Sequence, residues 1–276
     1  MPDAYGWPMT RVLLITGGHP FERNPFLQMF ADNAGLDVEH IEQPDAQRRL
    51  HPDRLSEGRL EPVEVIVFYD MPGLRFTRGE PPLELTEPCP DMIEGFEALL
   101  HAGVPMVFLH HAIASWPTWP RYADIVGGRF HYAPGDLWGE PWPDSGYLLD
   151  VTHTVEVTAP EHPVCAGLPP TFELRDELYL IPRIAAGVTP LLRTRHPMTS
   201  EHFYSTTHAI SGRRGVNDGW THPVGPDVIG WVHTVENSSV AYLQPGDSPA
   251  CYADANYRRL VDNAIRWATG GPQLTT

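Results

Sequence analysis

The chain is short of basic residues, of cysteine and of long apolar runs, and each shortage removes a class of function. Nineteen Lys+Arg stand against 35 Asp+Glu, a formal net charge of −16. A field of that sign repels phosphate backbones and anionic lipid, so neither nucleic acid nor a membrane surface is an expected partner. A neutral polar small molecule such as a sugar fits this balance. No apolar run approaches the roughly 20 residues of a membrane span. Residues 1–10 lack a basic stretch followed by an apolar core, so they read as a flexible tail rather than a secretory signal, with Met9 a second candidate start. Cys89, Cys165 and Cys251 are far apart and form no CxxC. An odd, sparse set fits a reducing cytoplasm without disulfides, and each thiol reads as a small packed side chain. GxxxxGK[ST], GxSxG and HExxH are all missing, which excludes a P-loop, a hydrolase nucleophile elbow and a zincin helix.

Proline (30 residues) and histidine (14) are plentiful. Arg11 to Thr16 is an apolar run that ends in Gly17-Gly18-His19, the pattern of a buried strand meeting a tight loop. Val38 to Ile41, Val63 to Tyr69 and Val104 to Leu109 read as further strands. Helices are expected over Pro25 to Ala34 and Asp91 to His101. This alternation predicts an α/β sandwich, with a mostly parallel sheet and helices on both faces. The second half is richer in strands: Leu148 to Val157, Phe172 to Tyr179, Pro190 to Thr194, Val228 to His233 and Val240 to Gln244. A last helix spans Asn256 to Trp267. Repeats and linkers are lacking, so residues 11–270 form one expected domain, with a short tail at 271–276. Met71 to Pro90 and His131 to Gly146 read as long loops. Loops of that length are commonly lids or binding loops. Trp138 and Trp142 in the second suit stacking on a sugar, or they cover core edges.

In such sheets ligands bind beyond the C-terminal ends of the strands, near the switch in strand order. That rule selects Gly18 and His19, Asp70, His110 and His111, the segment Asp176-Glu177-Tyr179, and Asp247. Asp176 and Glu177 are neighbours in a strand, so one of them is expected to face the cleft. Gly18, His19, Asp70, Trp138 and Trp142 are candidate substrate contacts. His110, His111, Glu177 and Tyr179 are the candidate catalytic groups. His19, His110, Glu177 and Asp247 offer enough ligands for zinc or manganese, since a site built from strand ends needs no local motif. A set of neutral histidines in an acidic pocket is the other reading. Arg213 and Arg214 are expected on a solvated turn.

These same residues carry a resemblance to the ThuA-like (trehalose utilisation) family, a branch of the class I glutamine-amidotransferase-like fold. The matching segments are GGHPF (Gly17–Phe21), VPMVFLHHAIASWPTWPRYADIVGGRFHY (Val104–Tyr132), EHPVCAGLPPTFELRDELY (Glu161–Tyr179) and VAYLQPGDSPACYADANYRRLVDNAIRWATG (Val240–Gly270). The resemblance implies a flavodoxin-like sandwich. It also implies that the turn carrying the amidotransferase nucleophile is Leu109-His110-His111-Ala112, which has no cysteine. Thioester chemistry on glutamine therefore lacks its nucleophile. Many relatives have Gly-His where this chain has Gly246-Asp247, a departure that bears on any metal role there. The family association implies catabolism of disaccharides oxidised to a 3-keto form, by acid–base or metal-assisted cleavage or isomerisation, as a hydrolase or lyase. A non-catalytic sugar-binding or regulatory module is the alternative. Homo-oligomerisation has no sequence signature here.

Overall fold

The computed structural model describes residues 9–270. The expected tails lie outside them save Met9 and Thr10, and Thr10 already opens the first strand. The parallel half begins with β1 (Thr10–Gly17), α1 (Arg23–Ala31), β2 (Leu36–Glu42), the short α2 (Ala46–Arg49) and β3 (Val65–Asp70). The first expected loop holds a hairpin, β4 (Leu74–Phe76) and β5 (Leu83–Leu85), before α3 (Pro90–His101) and β6 (Met106–Leu109). After α4 (Pro120–Val126) a second small hairpin, β7 (Gly135–Leu137) and β8 (Glu140–Trp142), occupies the other expected loop. The antiparallel half follows as β9 (Gly146–Val157), β10 (Thr171–Leu180), β11 (Thr189–Thr194), β12 (Tyr204–Ser205), α5 (Thr206–Ile210) and β13 (Val228–Val235). β14 (Ser238–Leu243), α6 (Pro249–Ala253) and α7 (Ala255–Ala268) close the chain.

One sheet carries the order β10-β9-β11-β13-β14-β6-β3-β1-β2, with β12 added to β9. From β14 to β2 the pairs are parallel, and from β14 to β10 they are antiparallel. β1 shows why the central strands read as continuous apolar runs. Val12 and Leu14 enter the core under α1 and α7, while Leu13 and Ile15 enter the core under α3 and α4. Both faces are covered, so alternation of polar and apolar residues is lost. α7 supplies Tyr257, Leu260, Val261, Ala264 and Ile265 to the first core, and Asp254 caps its free amides at Asn256 and Tyr257. Each fully buried side chain of this kind contributes roughly 1.5–3 kcal/mol.

The antiparallel half curls. β10 lies four places from β14 in sheet order, yet it hydrogen-bonds the segment that leaves β14. The Tyr179 amide donates to Gln244 Oε1 (3.1 Å), and Asp176 accepts three amides from Gly246 to Ser248. This fold-back brings the edge strand over the C-terminal ends of β1, β3 and β6, where the strand order reverses.

Candidate functional site

His110 stands where β6 ends, in the left-handed region at φ 44°. Such a conformation is uncommon for a residue with a Cβ and persists only where surroundings impose it. They do so here through both ring nitrogens. Nδ1 lies 2.7 Å from the Gln244 carbonyl, which can only accept, so Nδ1 carries a proton. Nε2 is then the working nitrogen. It lies 3.0 Å from Glu177 Oε2, 2.8 Å from the Tyr179 hydroxyl and 3.5 Å from Asp247 Oδ1. Burial alone pulls the imidazole pKa down. The hydrogen bond to Glu177 and the charges of Asp247, Glu177 and Asp176 outweigh it and raise the pKa to about 9. Burial pushes the Glu177 carboxyl up, opposed by its bond to His110. Near neutrality these acidic neighbours therefore hold the imidazole in its charged form.

Both members of the Asp176-Glu177 pair turn inward, which corrects the expectation that only one would. The register of β10 against β9 shifts between Asp176 and Leu178, and a bulge of this kind re-aims a side chain. Asp176 receives the amides of Gly246 (2.5 Å), Asp247 (2.9 Å) and Ser248 (3.1 Å), and so holds the loop that presents Asp247. Gly246 (φ 133°) packs against the Tyr257 hydroxyl and His110 with no room for a Cβ.

Beside this group lies a cavity of about 420 Å³. His19, Glu177, Tyr179, Thr206 and Arg214 supply its polar groups, with Tyr132, Tyr147 and Tyr204 among its aromatic walls. His110 and His111 do not line it. Both are buried, and His110 reaches the cavity through Glu177 and Tyr179, so it is a positioning residue. His111 packs between Tyr69 and His19, at ring-centroid separations of 4.3 and 4.9 Å. Burial, with the charge on His110 next, holds His111 well below the usual histidine range, and its Nδ1 has no partner. Burial likewise lowers His19, whose Nδ1 is also unpartnered.

Four expected contacts lie elsewhere. Trp138 and Trp142 do not line the cavity. The Trp138 indole donates to Asp124 (2.7 Å), and the Trp142 ring lies 6.1 Å from that of His222. Asp70 is buried against Gln43 (2.7 Å), and its burial raises the carboxyl to about 7. Gly18 (φ 83°) has its backbone against the Met71 carbonyl, which leaves no space for a Cβ, so packing accounts for it. His222 and His233 bond the carbonyls of Pro223 (2.7 Å) and Ile125 (2.9 Å) and stay outside the cavity. None of the three cysteines lines it; Cys165 and Cys251 are buried and Cys89 is exposed. Tyr132, Tyr147, Tyr204 and Arg214 were not singled out as cavity residues from sequence. Arg214 sits on an exposed turn, as expected, and that turn also borders the cavity.

Among the described residues, His110, His111 and Asp247 can each offer a ligand atom, all within 4.8 Å of one another. This group replaces the expected set: His111 enters, while His19 and Glu177 fall outside it. The unpartnered Nδ1 of neutral His111 fits a ligand role. So does the Gln244 carbonyl on His110 Nδ1, the kind of outer contact that fixes a ligating imidazole.

A curled mixed sheet with a histidine–carboxylate cluster at its rim defines the class of this α/β protein. The family model described as trehalose utilisation (ThuA) matches residues 11–268. The chain belongs to the ThuA family, which gives it a carbohydrate-related role. No curated protein matches it. A ThuA-like protein of Parabacteroides merdae shares 14% identity and a TM-score of 0.63, over 97% of this chain and 92% of that one. One from Bacteroides uniformis shares 19% identity and a TM-score of 0.61, over 95% and 91%. Agd3, described as a carbohydrate deacetylase, has a TM-score of 0.53 at 12% identity, over 97% of this chain but 33% of its own. These likenesses concern the fold alone. No described helix is long and apolar enough to cross a membrane.

Proposed function

We propose that the protein cleaves a glycoside or disaccharide that carries a ketone at C3, by acid–base chemistry in the cavity beside His110. The observation that carries this reading is the convergence of Glu177, Tyr179 and Asp247 on one imidazole nitrogen, next to a cavity that also contains a neutral histidine. Family membership supports a sugar as the ligand.

A C3 ketone acidifies the proton at C2. His19, uncharged at neutral pH, is placed to take it as general base. The electron pair moves to form the C1=C2 double bond, and the C1–O bond breaks. The departing alkoxide takes a proton from the Tyr179 hydroxyl, which the His110 imidazolium resupplies. The products of this step are the free alcohol and an unsaturated keto-sugar. Addition of water across the double bond then completes a net hydrolysis. The chain contains no lysine, so none of its lysines can capture the ketone as an imine. That absence favours direct acid–base chemistry.

The test is incubation with 3-keto-trehalose, with the alcohol product followed by chromatography. Cleavage by the wild type and none by His110→Ala is the expected result. Binding of the sugar with no product after long incubation would instead make the protein a sugar-binding module.

The 4.8 Å grouping of His110, His111 and Asp247 favours a second reading, in which these residues hold a divalent zinc or manganese ion. Such an ion supplies Lewis-acid polarisation of a bound carbonyl. The two readings place opposite demands on His110, which is protonated in the first and a neutral ligand in the second. Elemental analysis of protein purified without chelator or affinity metal separates them. The acid–base reading expects less than about 0.1 ion per chain; near-stoichiometric metal that is lost in Asp247→Asn establishes the other.

A further inference from the structure

Arginines in this acidic chain are almost all neutralised. Fifteen of the nineteen form an ion pair with a carboxylate. Arg129 and Arg259 donate to backbone carbonyls. Among the described residues that leaves Arg78, which does not line the cavity, and Arg214, which does. Arg213, next in sequence, pairs with Asp218 (3.9 Å) and does not line the cavity.

The loop holding Arg214 is fixed at several points. The Gly215 amide donates to the Tyr147 hydroxyl (3.0 Å), and Tyr147 is itself a cavity wall. The Arg213 amide donates to the His208 carbonyl (2.8 Å), and the Ser205 amide donates to the Val216 carbonyl (3.1 Å). The backbone next to Arg214 is therefore tied to a tyrosine of the cavity wall, and Arg214, exposed to solvent, borders the cavity there. A planar fork of donors without a partner, beside aromatic walls, matches a carboxylate or phosphate on the ligand. With 35 acidic residues in the chain, a carboxylate of its own would have been the ordinary neighbour.

We propose that Arg214 makes the cavity selective for sugars that carry an anionic substituent, a carboxylate or a phosphate. This rests on the reading of the cavity as a sugar site, and it replaces the neutral ligand expected from net charge. The whole-chain field disfavours anions at long range, but it is screened beyond about 10 Å at moderate salt. Contact with one unpaired guanidinium acts well inside that distance.

The test is equilibrium binding of methyl glucoside and methyl glucuronide, which differ only at C6, followed by calorimetry, with glucose 6-phosphate as a third probe. Wild type is expected to bind an anionic probe about tenfold more tightly than the glucoside. Arg214→Gln is expected to lose that preference while glucoside affinity stays within about twofold, and Arg214→Lys to restore part of it. Whichever of glucuronide and phosphate binds more tightly identifies the anion. Equal affinities in the wild type, or a preference that survives in Arg214→Gln, overturn the proposal and leave the sugar site standing. Failure of all three probes to bind overturns the anion proposal, and failure of 3-keto-trehalose to bind as well overturns the sugar site on which it rests.

Discussion

Glu177→Gln lowers kcat on a 3-keto-glycoside about a thousandfold, within the 10²–10⁴ range of a positioned acid or base, while the protein stays folded. The substitution keeps shape and one acceptor for His110 Nε2 but removes the charge. The imidazolium loses the nearest of its anionic neighbours, at 3.0 Å, and the proton held behind Tyr179 is no longer favoured there. Removing one charge from a buried pair costs up to roughly 3–5 kcal/mol, so the thermal midpoint falls, and the kinetics are read at a temperature where the variant is still folded. Steady-state kinetics with a melting curve on the same preparation check this. A rise in KM with kcat unchanged would mean that Glu177 only binds sugar, and the assignment of the proton network would fall.

Replacing His153 by glutamine makes the protein more resistant to acid. His153 lies buried in β9 with Nδ1 against the Thr194 hydroxyl (2.9 Å) and Nε2 unpartnered. Burial, then the charge of His196, lowers its pKa to about 4. Unfolded, it titrates near 6.5. Between those values the unfolded chain binds the extra proton, so stability is fully present above pH 6.5 and is lost as pH falls through 4. The loss approaches about 3 kcal/mol, a large part of a 5–15 kcal/mol total. His131, also held at about 4 by burial, adds a similar loss. Asp70 works the other way, since its raised carboxyl favours the folded state as pH falls from about 7. The wild-type curve sums these effects, and the single variant isolates one. Urea midpoints at pH 7 and pH 4.5 should show His153→Gln gaining about 2–3 kcal/mol on the wild type between the two conditions. An equal loss in both proteins would show that His153 is not held neutral.

The strands that carry the site were legible because they are apolar on both faces and end in His, Asp or Gly. Gly17, Asp70 and His110 each fall within a residue of a real strand end. The two hairpins inside the long loops were not legible, because strands of three residues with few buried side chains leave no periodic trace. Tryptophan drew attention to Trp138 and Trp142. The cavity's walls instead include Tyr147 and Tyr204, which are opposite one another only once β12 pairs with β9. Nothing local in sequence announces that pairing. Nor does it announce the bulge at Glu177, which depends on two strands agreeing on where to slip. Arg214 was legible as a residue but not as an unpaired one, since pairing is a property of the whole surface.

The curl of the antiparallel half makes the site a seam, where the outermost strand of the sheet is stitched onto its middle. The stitches are Tyr179 to Gln244 and Asp176 to the three amides of the Gly246–Ser248 loop. An edge strand is ordinarily the first part of a sheet to breathe. Here it cannot lift away without also releasing the loop of Asp247 and the carboxylate facing His110. Fraying of the edge and dismantling of the site are consequently a single event, and the amides of Tyr179 and Asp247 would exchange with solvent as one unit although they lie far apart along the chain.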